Sequence, residues 1–263
     1  MERREFLGTA LTSALGASLV AASNAKAAES GPEYYQLRRY QLSSAQARSA
    51  PDYFSNALIP ALNRLKIAPV GAFNVTVGTT SPNPYILMPC ASLETLATLD
   101  EKLLADAEYQ KAARPFLVAA GAQPSFMRID SSLLQAFAKY PKLTLPQAAI
   151  AKTARIYEIR TYESPNEQNH QLKLEQMQAG EAEIFQNVGA WTVFFADTLV
   201  GTRLPKLTYM LGYENFAARE KVWSAFAVSP AWKALNSQPR YTADTLVSNI
   251  TNEILTPTPY SQI

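Results

Sequence analysis

Two short stretches gather side chains that could hold an anion and move a proton. They are Tyr34-Tyr35-Gln36-Leu37-Arg38-Arg39-Tyr40 and, 122 residues further on, Ile156-Tyr157-Glu158-Ile159-Arg160-Thr161-Tyr162. An arginine presents a fixed cationic fork to a carboxylate or enolate, and a neighbouring tyrosine adds a phenol donor. A glutamate in such a place serves as a base if desolvation raises its pKa. Period-two alternation separates Leu37 and Ile159 from Arg38, Tyr40, Glu158, Arg160 and Tyr162. If the apolar Leu37 and Ile159 lie under covering helices, the other five side chains face a barrel interior as candidate ligand-binding residues. The same residues also fit a purely structural role, with Glu158 and Arg160 as a buried ion pair and the tyrosines as core bodies with polar tips.

Other reactive residue types are sparse. His170 is the only histidine and Cys90 the only cysteine, so no transition-metal cluster is expected. His170 stands in the polar run Asn166-Glu167-Gln168-Asn169-His170-Gln171, which reads as an exposed helix position rather than a haem ligand or general base. Cys90 reads as a small core residue, and Trp191, Phe194 and Phe195 as strand aromatics of the core. The chain has no glycine-rich phosphate loop, no zinc motif and no nucleophile elbow, which removes the commonest enzyme classes.

The elements that must position these residues repeat. After the first strand, residues 51–66 carry apolar side chains at three- and four-residue steps, as a helix does. Two β-rich runs, 69–78 and 84–92, flank the turn-forming segment 79–83. A helical tract over 93–120 and a strand over 125–134 close the unit. The second half repeats the order with a strand at 155–163, a helix over 167–187, two strands, a helical tract over 216–235 and a last strand. Each half is therefore β-α-β-β-α-β, a ferredoxin-like unit with one bare sheet face. The fold class expected is α+β: tandem units over 33–134 and 155–256, joined by a linker over 135–154, each covering the other's bare face in a pseudo-dimeric α+β barrel.

The paired Tyr-x-Leu-Arg-x-Tyr and Tyr-Glu-Ile-Arg-x-Tyr strands resemble the opening strand of NIPSNAP proteins. Asp106-Ala-Glu-Tyr109 and Ser229-Pro-Ala-Trp232 are similar to that family's Asp-x-x-Trp helix motif. The resemblance runs from about Glu33 to Thr256, and its first copy departs in having Gln36 for Glu and Tyr109 for Trp. It implies a dimeric α+β barrel, a superfamily shared with small monooxygenases, and pairing into homo-oligomers. The activity implied is open. It is a small organic ligand bound between the sheets, a non-catalytic interaction scaffold, or cofactor-independent oxygenation or isomerisation, with Arg160 stabilising negative charge, Tyr162 orienting and Glu158 moving the proton. No cofactor is expected, haem being the alternative.

Charge and the N-terminus bound the setting. Arg3-Arg4-Glu5-Phe6-Leu7, a weakly apolar stretch to about Ala22, and Ala25-Lys26-Ala27 read as a twin-arginine-type export signal over 1–27, giving a periplasmic or secreted protein not embedded in a membrane. The whole chain has net charge +2, and residues 1–27 hold three basic and two acidic side chains, so the remainder carries +1. Nucleic acid is an unsuited partner, since its phosphates demand a concentrated basic face.

Overall fold

The computed structural model describes residues 31–78, 83–118, 124–242 and 245–263. The segment 1–27 expected to direct export and the segment 79–82 of the expected turn lie outside the described residues. From Pro32 onward the chain is one unit built on eight strands: β1 Tyr34–Gln41, β2 Gly71–Val77, β3 Tyr85–Cys90, β4 Arg128–Ala136, β5 Ile156–Glu163, β6 Trp191–Val200, β7 Lys206–Tyr213 and β8 Asn249–Pro257. They close a barrel in the order β1-β3-β2-β8-β5-β7-β6-β4. All pairings are antiparallel, and β2–β8 and β4–β6 are the seams between the halves. The α+β class and the tandem barrel expected from the repeat are therefore what the chain adopts.

Helices cover the outer face. Helix α1 (46–64) contains a π-helical turn at Phe54–Leu58, and helix α6 (167–187) has one at Met177–Glu181, the corresponding place in the second half. Between them in sequence lie α2 Leu93–Ala97, α3 Leu99–Ala105, α4 Ala107–Leu117 and α5 Gln147–Ile150. After β7 come α7 Phe216–Val228, α8 Pro230–Asn236 and α9 Pro239–Thr242. Short polar residues start five of these helices by accepting an otherwise orphaned N–H. Ser92, Asp106, Asn166, Asn215 and Ser229 accept from the main chain of Thr95, Tyr109, Asn169, Ala218 and Trp232. The repeated Asp-x-x-Tyr and Ser-x-x-Trp segments are thus helix caps. Their aromatics point back into the layer between helix and sheet, where Tyr109 Oη lies 3.0 Å from Tyr53 Oη.

Three apolar clusters result. Two lie between sheet and helices, one per half, centred on Tyr53, Phe54, Leu58 and Leu62 and on Met177, Phe185, Tyr209 and Phe226. The third fills the barrel with Tyr35, Leu37, Phe73, Tyr157, Ile159, Phe194 and Met210. Phe194 faces the barrel while Phe195 faces the helices, both as core, and Cys90 is buried core too. One end of the barrel is closed. Leu143 and Leu145 of the segment between the halves pack against the inner cluster, and Ile263 fills it from the C-terminal side, where Arg155 Nη2 donates to the Ile263 main-chain oxygen at 2.9 Å.

The faces of β1 and β5 are the reverse of the sequence expectation. Leu37 and Ile159 face the barrel, whereas Arg38, Tyr40, Glu158, Arg160 and Tyr162 lie under the helices. Both faces of a closed, helix-covered sheet are buried, so apolar alternation does not say which face the helices take. The inward face near the closed end can offer few hydrogen-bond partners and takes the apolar set. The outward face can accept charges because α3 and α7 carry partners for them. Register also aligns the two copies: Met88 opposes Gln36 and Leu211 opposes Glu158, so Leu211 is the counterpart of Met88.

Candidate functional site

The open end of the barrel is a polar mouth built on rows of directly opposed residues. Tyr85, Arg39 and Asp130 form one row across β3, β1 and β4. Thr251, Thr161 and Thr208 form the matching row across β8, β5 and β7. The two copies have thus diverged here, one to charged groups and the other to hydroxyls. Beneath the rows Leu37 and Ile159 form an apolar floor, and Glu253 stands opposite Ile159. Together with Ser132, Thr202, Arg203 and Lys206 these residues line a cavity of about 380 Å³.

Most charges in the mouth are already paired. Arg39 Nη2 and Nε donate to Asp130 Oδ2 at 2.7 and 3.2 Å, and Gln41 Nε2 adds a donor at 2.9 Å. These bonds hold the Asp130 carboxyl below its ordinary range, and the Arg39 guanidinium above its own despite the burial that opposes it. Tyr85 Oη donates to Glu253 Oε2 at 2.5 Å, and burial together with that carboxylate pushes the phenol pKa up. Arg203 Nη1 lies 3.0 Å from Glu163 Oε1, which also accepts from Asn249 Nδ2 at 3.0 Å.

Lys206 is different. It is directly opposite Glu163 across β5–β7 and only 6% exposed, yet among the described residues it has no hydrogen-bond or ion-pair partner. Burial, with the Arg203 and Arg39 charges, depresses its pKa below the usual lysine range, while Glu163 opposes that shift. A largely buried cationic group whose one nearby carboxylate is engaged elsewhere is disfavoured unless water in the mouth, loss of its proton or the charge of a ligand compensates it.

The five side chains singled out from sequence form two networks on the other side of the sheet. Glu158, fully buried, accepts from Arg160 Nη1 at 2.8 Å, Arg219 Nη2 and Nε at 2.8 and 2.9 Å, Trp223 Nε1 at 2.9 Å, Asn252 Nδ2 at 3.1 Å and Tyr213 Oη at 3.3 Å. Burial alone would raise its pKa, but the Arg219 bonds, the Arg160 charge and the Trp223 donor outweigh that and hold it low. Glu158 is therefore a saturated acceptor, not a base. Arg160 stacks 4.3 Å from the Trp223 ring, and Tyr162 Oη meets Tyr209 Oη at 2.7 Å. In the first half Arg38 Nη2 pairs with Asp100 Oδ1 at 2.8 Å, and Tyr40 packs edge-on against Phe54.

His170 is not exposed. It is buried on α6 with Nε2 2.7 Å from Asp197 Oδ1, because that polar helix packs over the sheet. His170 Nδ1 is buried without a hydrogen-bond partner, but the residue lies on α6 in the layer between helix and sheet and so does not face the barrel cavity as the axial ligand of a haem there, and Cys90 Sγ is taken by the Ser92 N–H. Among the described residues no group of three or more His, Cys, Asp or Glu is placed to hold a metal ion, and no helix is long and apolar enough to cross a membrane. Sequence reasoning missed Arg39, Tyr85, Lys206 and Glu253. The available signal was Arg39 itself, a charge at the end of the otherwise apolar Tyr35-Leu37 face, which is where a barrel opens.

Such a molecule, two ferredoxin-like halves closed into one barrel with a polar mouth, is a tandem member of the α+β barrel class. Two known structures agree at the level of fold. A candidate monooxygenase from Lactobacillus acidophilus NCFM superposes with TM-score 0.55 at 6% identity, covering 86% of this chain and 94% of that one. An anthrone oxidase-like protein does so with TM-score 0.50 at 12% identity, covering 87% and 92%. A NIPSNAP-like domain protein from Burkholderia xenovorans shares 20% identity over 41% of this chain and 88% of its own, with TM-score 0.36. No curated protein sequence matches the chain. The NIPSNAP family profile matches twice, at residues 35–127 and 157–262, and the chain belongs to the NIPSNAP family.

Proposed function

We propose that this protein binds a small organic acid in the mouth of its barrel. The observation that carries the reading is the buried Lys206, which faces the cavity and among the described residues has no direct ion-pair partner, while the charged groups around it have theirs. A carboxylate would satisfy it, with the mutually bonded Thr161–Thr208 hydroxyl pair keeping one O–H donor beside it and Leu37 and Ile159 beneath an apolar body. The ligand thus lies between the sheets, on residues of the opposite strand face from Arg38, Tyr40, Glu158, Arg160 and Tyr162. The N-terminal arginine pair and the small-residue site ending at Ala27 support export of the protein to the periplasm or beyond.

Calorimetric titration with benzoate tests the reading. Saturable binding that weakens with added salt and is lost in Lys206→Met supports it. Salt-independent or absent binding for benzoate and other small carboxylates favours the non-catalytic scaffold instead. Catalysis in the mouth, such as cofactor-independent oxygenation or isomerisation, is favoured by one feature: the Tyr85–Glu253 pair lines the same cavity as a proton donor and acceptor. Turnover lost in Tyr85→Phe, with ligand binding retained, would establish it.

A further inference from the structure

Lys206 has the attributes of a nucleophile as well as those of an anchor. We propose that its Nζ condenses with the carbonyl carbon of a small 2-oxo acid to form an imine in the barrel mouth. This rests on the reading of the mouth as an organic-acid site, and adds covalent chemistry to it.

Three observations carry the proposal. First, the nitrogen is not sequestered. Its natural cross-strand partner, Glu163, is engaged by Arg203 at 3.0 Å and by Asn249 at 3.0 Å, so no carboxylate holds the ammonium in place. A lysine amine becomes nucleophilic when burial and neighbouring cations disfavour its protonated form, and here the cations are Arg203 and Arg39. Second, those guanidiniums put positive charge at the mouth, and Arg203 keeps donors to spare. Arg39 uses Nε and Nη2 on Asp130, and Arg203 uses Nη1 on Glu163. Arg39 also meets the Tyr85 hydroxyl, so its part is mainly charge, and the remaining Arg203 donors are left for the carboxylate of the incoming acid, next to the amine that attacks its carbonyl. Third, the cavity holds a paired proton donor and acceptor, Tyr85 Oη on Glu253 at 2.5 Å.

The step balances without an oxidant. The nitrogen lone pair forms the C–N bond while the carbonyl π pair takes up a proton. The carbinolamine hydroxyl then leaves as water with a second proton, and the nitrogen gives up its own. Amine plus carbonyl yields imine plus water, and the Tyr85–Glu253 pair is the proton shuttle that the mouth provides.

The test treats the full chain with glyoxylate and sodium cyanoborohydride at neutral pH and locates carboxymethyl-lysine by peptide mass mapping, alongside calorimetry with glyoxylate alone. The expected result is one adduct per chain, on Lys206, lost in a folded Lys206→Arg variant. Lys173, as buried but held 2.5 Å from Glu181, serves as the internal control and stays unlabelled. Glyoxylate binding without an adduct on Lys206, or adducts spread over surface lysines, overturns the imine and leaves the organic-acid site standing. Neither heat nor adduct overturns the imine, and with benzoate also inert the site falls with it.

Discussion

Replacing Glu158 with alanine removes the acceptor at the centre of six donated hydrogen bonds and leaves the Arg160 and Arg219 guanidiniums facing each other beneath α7. Breaking a buried ion pair by deleting one partner costs about 3–5 kcal/mol, because the remaining charge is stranded. Two features place this case at the lower end. The Arg219 side chain is 17% exposed, so water reaches it, and Arg219 Nη1 keeps Glu220 as a partner. A loss of about 3 kcal/mol in a chain of this size lowers Tm by roughly 6–12 °C. Differential scanning calorimetry reads it directly, and Glu158→Gln, which preserves shape and some of the bonds, falls between wild type and alanine. The reasoning is refuted if Glu158→Ala melts within about 2 °C of wild type, well under one such interaction. It is also refuted if the variant keeps its Tm but loses carboxylate binding, for then Glu158 belongs to a ligand site after all.

Three further outcomes follow from the same geometry. The folded-state pKa of Glu158 lies below its unfolded value, so its contribution is complete above about pH 4.3, the ordinary glutamate pKa, and is lost as pH falls through the folded value; the Tm gap between wild type and Glu158→Gln should therefore narrow on acidification. Lys206→Met removes an enclosed, unpartnered cation and should hold or raise Tm while abolishing benzoate binding, a trade measured by melting and titration of one sample. Tyr53→Phe deletes the buried hydroxyl pair with Tyr109 and should cost about 1 kcal/mol, a Tm shift of roughly 2–4 °C, with ligand binding in the mouth unchanged.

Particular residues show how far the sequence could be read. The doubled strand, the helix phase of Leu58 and Leu62 and the repeated Asp-x-x-Tyr and Ser-x-x-Trp segments were legible because they are local: period and short motifs act within a few residues, although that the segments cap helices came from the structure. Glu158 and Arg160 were recognised as a pair, but their partners Arg219, Trp223 and Asn252 come from 59 to 94 residues away, and nothing in the strand announces them. His170 looked exposed because its sequence neighbours are polar, yet Asp197, on a strand 27 residues later, takes its Nε2 in a buried layer. Lys206 carried no motif. Its meaning comes from what surrounds it, Arg203, Arg39 and a Glu163 already engaged elsewhere.

The sequence by itself determined the repeat, the β-α-β-β-α-β order of each half and hence the tandem barrel, since periodicity and element order leave few ways to bury the two bare sheet faces. Only the tertiary structure decided which face of each strand looks inward. A closed sheet under helices buries both faces, and the choice depends on which one finds partners for its charges. For Glu158 and Arg160 those partners lie on α7 and β8. For Arg39 and Lys206 the inward face is the open mouth, where water or a ligand must complete the set.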